Sequence, residues 1–111
     1  MREELSIVVE WAPFEVRQGV SKKALLEASA LLQEEFLERQ PGFLRRELLE
    51  QQDNQYVDIV WWERAEDAER AMKQAPTNRA CQSYFAFMVE VDHTKPCQGV
   101  SHFRLVHRYA K

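Results

Sequence analysis

The chain has 111 residues, of which 45% are hydrophobic and 30% charged, with 18 acidic and 15 basic side chains and a formal net charge of -3. That length fits one domain, residues 1–111, with a real but modest core, and the acidic balance gives no reason to invoke nucleic acid. No run approaches the roughly 18 to 20 apolar residues of a membrane span, and MREELSIVVEW puts charges ahead of only a short apolar stretch, so a cytoplasmic protein with no membrane partner is expected.

Leu5 to Trp11 alternates as a first strand, with Leu5, Ile7, Val9 and Trp11 on one face and Ser6, Val8 and Glu10 on the other. Pro13 and Gly19 punctuate a loop. Ser21 then reads as the N-cap of a helix whose apolar positions, Ala24, Leu25, Ala28, Leu31, Leu32 and Phe36, step by three and four. Gln40, Pro41 and Gly42 stop it. Phe43 to Gln51 has helical propensity, but it lies between that stop and the Asp53-Asn54 turn signal, so a hairpin with Gln55 to Arg64 is the better reading. A symmetric turn would pair Leu49 with Asp58, Glu47 with Val60 and Arg45 with Trp62.

Gln55 to Arg64, QYVDIVWWER, is the central strand. Tyr56, Asp58, Val60 and Trp62 share one face, and Val57, Ile59 and Trp61 the other. Neither face suits water, so both must be covered. The chain's own helices supply one layer, and a second copy of the chain is the economical source of the other. A second helix follows, with Glu66 and Asp67 in its first turn, and Pro76 ends it. Arg79 to Met88 passes as helix or strand, and a helix to about Met88 is favoured. After a loop around Pro96 and Gly99, Ser101 to Tyr109 reads as a closing strand, with Phe103, Leu105, His107 and Tyr109 on one face. The order strand, helix, strand, strand, helix, strand predicts an α+β, ferredoxin-like domain: a four-stranded antiparallel sheet with helices on one face.

PGF at Pro41 to Phe43 and YVDIVWWERAEDAERAM at Tyr56 to Met72 resemble the dimeric α/β barrel superfamily, in particular its antibiotic-biosynthesis-monooxygenase-like domains. The resemblance implies a homodimer in which two sheets pack into a barrel, with a small-molecule cavity between each sheet and its own helices. It also implies diverse activities, from cofactor-independent oxygenation of aromatic polyketides to haem degradation and small isomerisations. Trp62 matches the family's tryptophan at the end of the third strand. The haem-degrading members use a histidine on the following helix and an asparagine on the first strand. Here Glu69 to Met72 has no histidine and Leu5 to Trp11 no asparagine, so no haem is expected.

Asp58 is the sharpest site candidate. A carboxylate in a strand with two covered faces should be paired or shifted toward neutrality, as a general base in an apolar cavity would be. The structural alternative is a bond to Arg45, Arg104 or the backbone. Trp62 is a cavity wall or core, Tyr56 shares its face, and Tyr84 is either a cavity residue on the second helical segment or core. His107 is the best-placed histidine for proton transfer, although a lone histidine on an apolar face is more often structural. Arg45 would stand beside the Trp62 indole, and Arg45 and Arg46 would protect the sheet edge. Cys81 and Cys97 are isolated and expected to be reduced thiols, and His93 and His102 match no metal spacing. With no phosphate loop, nucleophile elbow or metal cluster, no cofactor and no metal are expected. Two readings follow: a cofactor-independent monooxygenase acting on a small electron-rich aromatic compound, or a non-catalytic metabolite-binding or stress-related module of the same fold.

Overall fold

The computed structural model describes residues 6–90 and 99–111. The predicted positions of Leu5, Cys97 and His93 lie outside them. Strand β1 spans Val8–Glu15, later at both ends than predicted and running through Pro13. Helix α1 is Lys22–Glu35, and the Ser21 hydroxyl caps it by accepting from the Ala24 N–H at 3.0 Å. A 3-10 turn at Leu37–Arg39 and Gly42 at φ +81° then redirect the chain. Strands β2 (Phe43–Gln52) and β3 (Gln55–Trp62) form the predicted hairpin, with Asn54 in the left-handed region at φ 66°. Helix α2 is Ala65–Gln74, and α3 is Arg79–Phe85, capped by the Asn78 side chain. Helix α3 ends before Met88 because Met88 leaves the helical path and bridges to Val16.

Strand β4 covers only Ser101–Arg104 of the predicted Ser101–Tyr109. Its ladder with β1 starts at Val8, and beyond it, among the described residues, the Leu105 N–H still reaches Ile7 O at 2.9 Å. A strand persists only as long as a neighbour supplies partners. The same shortness explains Pro13. Among the described residues strand β4 pairs with Val8–Trp11 alone, so at Pro13 β1 has a ladder partner on one side only, β3, where proline is tolerated.

All pairings are antiparallel and the sheet order is β2-β3-β1-β4. This is the ferredoxin-like arrangement read from the sequence, and among the described residues α3 realises, in shorter form, the helix favoured for Arg79 to about Met88. The symmetric turn holds at Gln52 opposite Gln55, but a bulge between Glu50 and Gln52 slips Arg45 to Glu50 by one residue, and a second shift lies between Phe43 and Arg45. Arg45 therefore faces Trp61 instead of Trp62, and Leu48, not Leu49, faces Asp58. A one-residue slip moves side chains to the opposite face, so Arg46 points toward the helices and not to the protected edge expected of it.

The inner face carries Tyr56, Val60 and Trp62, packed with Leu25, Leu32 and Phe36 of the α1 region, Ala68 and Ala71 of α2, and Cys81 and Tyr84 of α3. The outer face presents Val9, Trp11, Ile59, Trp61, Leu49 and Phe103, and no element of the chain's described residues covers it. Trp11 is 40% exposed, Leu49 44% and Phe103 57%. Among the described residues no helix is long and apolar enough to cross a membrane.

Candidate functional site

Between the inner face of the sheet and the helices lies a cavity of about 490 Å³, a size suited to a small organic ligand. Its walls are mainly apolar, including Leu32, Phe36, Val60, Trp62, Met72 and Phe85. Glu10, Arg46, Asp58 and Tyr84 bring polar groups to it.

Asp58, on β3, is fully engaged. Arg46 Nε donates to its Oδ1 at 2.8 Å, and the Tyr84 hydroxyl donates to its Oδ2 at 2.7 Å. The Arg46 fork continues to α1, where Nη1 reaches the Ser29 carbonyl at 3.1 Å and Nη2 the Ser29 hydroxyl at 2.8 Å. Nη2 also lies 3.3 Å from the Tyr84 hydroxyl. The Arg46 and Asp58 side chains are only 6% and 10% exposed, so each depends on the other for its charge. Burial works against the Arg46 charge, but Asp58 outweighs it and holds the guanidinium above its ordinary value. Burial, reinforced by Asp58, raises the Tyr84 phenol, which stays protonated and donates. Four elements are thereby tied together: β2 and β3 through Arg46 and Asp58, α1 through Ser29, and α3 through Tyr84.

A second polar group stands one strand away. The pairing of β1 with β3 and β4 sets Glu10 between Val60 and His102 on the inner face. Trp62 Nε1 donates to Glu10 Oε1 at 3.2 Å, and His102 Nε2 is 3.4 Å from the same oxygen. Both contacts fall on Oε1. Burial raises the Glu10 carboxyl above its ordinary value, with the Trp62 hydrogen bond and His102 offsetting part of that effect. Burial also pushes the Cys81 thiol up to about 11; fully buried in the cavity wall, it is an inert thiol near neutrality.

Of the residues singled out from sequence, Asp58, Trp62 and Tyr84 meet at the cavity. Trp62 is 1% exposed, packs edge-to-face on Phe43 with centroids 5.9 Å apart, and combines the wall and core readings. Tyr56 is buried on the same face but stacks on Phe14 at 5.6 Å, outside the lining. Arg45 lies on the outer face, over the Trp61 ring at 4.9 Å and paired with Glu47. His107 is exposed, beside Tyr109 and outside the cavity, because the alternation that aligned it with Phe103 ends with β4 at Arg104. Glu10, Arg46 and Ser29 went unrecognised. The alternation of β1 already separated Glu10 from Trp11, and this was the usable signal; nothing local marks the bulge that turns Arg46 inward.

No protein-family model matches the sequence, and no curated protein matches it. Solved structures do. SnoaB, described as a cofactor-independent oxygenase from Streptomyces nogalater, is 23% identical over 95% of this chain and 96% of its own, with a TM-score of 0.68. A Bordetella bronchiseptica protein provisionally named an antibiotic biosynthesis monooxygenase is 19% identical over 92% and 99% of the two chains, also at 0.68. A conserved Methanosarcina mazei protein reaches 0.68 at 8% identity over 92% and 95%. Almost the whole chain is covered in each case, and the chain has the α+β, ferredoxin-like fold of the antibiotic-biosynthesis-monooxygenase-like structures.

Proposed function

We propose that the protein is a small-molecule-binding homodimer that oxygenates a small electron-rich aromatic compound without a cofactor. The observation that carries this reading is the mainly apolar cavity of about 490 Å³ with a few convergent polar side chains from the sheet and α3. The description of SnoaB as a cofactor-independent oxygenase supports it. In such chemistry an activated methylene flanked by aromatic rings loses a proton, and the resulting carbanion reduces dioxygen. One oxygen atom becomes the ring carbonyl, and the other leaves as water with the two methylene hydrogens. The protein contributes a dry, shaped cavity, an orientation and a proton acceptor. Trp62 and Tyr84 form walls. Asp58, with both oxygens engaged, acts as a fixed charge that sets Tyr84 and Arg46.

Purified, metal-stripped protein in an oxygen electrode with an anthrone is the test. One O₂ consumed per ketone formed is expected. The full engagement of Asp58 favours the non-catalytic binding module as the second reading. Saturable binding of the anthrone without oxygen uptake would establish that reading in place of the first.

A further inference from the structure

Among the polar groups of the cavity, hydrogen-bonding capacity is unevenly spent. Both Asp58 oxygens have partners, and all three Arg46 nitrogens donate within the protein. Glu10 is different. Its Oε1 takes the Trp62 and His102 contacts, and its Oε2 has no partner among the described residues. With its side chain 17% exposed, Glu10 lines the cavity with one acceptor to spare, and a carboxylate oxygen left without a protein donor is open to a donor that a ligand brings.

Resting on the cavity reading above, we propose that the site selects aromatic compounds bearing a hydroxyl group, phenols or enols, by receiving that hydroxyl on Glu10 Oε2, and that Glu10 takes its proton. In the transfer the ligand O–H bond breaks, its electron pair stays on the ligand oxygen, and a new O–H bond forms at Oε2. Trp62 and His102 are the positioning residues, since they fix the carboxylate through its other oxygen. A carboxylate or phosphate ligand fits poorly, because the buried cation, Arg46, is already paired and the spare group is itself acidic.

The electrostatic surroundings of Glu10 agree with this role. His102 and Arg104 lie on the inner face of β4, Asp58 on β3 and Arg46 on β2. Arg17 and Glu90 also line the cavity, while α2 brings the uncharged Ala71 and Met72. Burial raises the Glu10 carboxyl, which moves its proton-accepting range toward neutrality.

Isothermal titration of the full chain with 2-naphthol and with 2-methoxynaphthalene separates the cavity from the carboxylate, because the ether fills similar space but donates nothing. Wild type is expected to bind the naphthol at least about tenfold more tightly, as for a charge-assisted hydrogen bond. In Glu10→Gln that preference should fall to within about threefold while affinity for the ether is kept. In wild type itself the preference should shrink as pH falls through the raised Glu10 value, a readout independent of how the variant folds. Equal binding of both compounds by wild type, or an undiminished preference in Glu10→Gln, overturns the assignment and leaves the cavity reading standing. Binding of neither compound overturns the cavity reading and this proposal with it.

Discussion

Glu10 and Asp58 are two carboxylates on neighbouring strands with opposite consequences for stability. The folded-state value of Glu10 is raised, so its stabilising contribution is fully present below the unfolded value and is lost as pH rises through the folded one. Glu10→Gln, which cannot ionise, should therefore match wild type in acid and melt higher than wild type above that range; thermal melts across the pH series check the crossing. Asp58→Ala should behave differently, because it strands the buried Arg46 guanidinium. A cost of about 3–5 kcal/mol is expected in urea denaturation, and a cost below about 1 kcal/mol would show that the pair is not held as described. Gly42 is a third sensitive position. It has φ +81°, and a Cβ there would overlap the buried Asp67 carboxylate, which is held by Arg70 Nη1 at 3.0 Å. Gly42→Ala should cost at least about 2 kcal/mol from left-handed strain and displacement of that carboxylate together.

At the level of elements, the hairpin of β2 and β3 shows what periodicity can and cannot carry. The two faces of Tyr56 to Trp62 were legible because alternation is a local property of the strand, and Ser21 was legible as a cap because its chemistry is local too. The partner of Asp58 was not, since it depends on register, and register here depends on one extra residue, Gln51, between the paired positions Glu50 and Gln52. Nor was the end of β4, which is set by how far β1 extends and not by the pattern in Phe103 to Tyr109. A direct test follows from the bulge. Gln51→Ala keeps the residue count and should change stability by no more than about 0.5 kcal/mol. Deleting Gln51 removes the bulge but keeps Glu50 opposite Tyr56, Leu48 opposite Asp58 and Arg46 opposite Val60, so the Arg46–Asp58 pair should survive and the cost should stay well below the roughly 3 kcal/mol of breaking it. Circular-dichroism melts of the two variants check this, and a loss in the Gln51 deletion as large as that of Asp58→Ala would mean that the pairing of Arg46 with Asp58 is not set by this register.

For the whole molecule, the outer face of the sheet governs assembly. The helices cover only the inner face, leaving Trp11, Leu49 and Phe103 substantially exposed beside Val9, Ile59 and Trp61. A contiguous apolar face on a small chain marks an interaction surface, and a second copy supplies a complementary face by two-fold symmetry with no further partner required. Arg45 over Trp61, paired with Glu47, places charge at the β2 margin of that face, as a polar rim would. An obligate interface of this kind buries upward of about 2,000 Å². We therefore expect light scattering at micromolar concentration to give twice the 13.1 kDa chain mass, with a melting temperature that rises with protein concentration. Trp11→Asp sets a charge in the middle of the face without touching the cavity lining, and it should yield monomers of lowered stability because the face is then exposed to water. Wild type that is monomeric at these concentrations would remove the barrel from the proposed function, while leaving the cavity, which is built within one chain, to be judged by ligand binding alone.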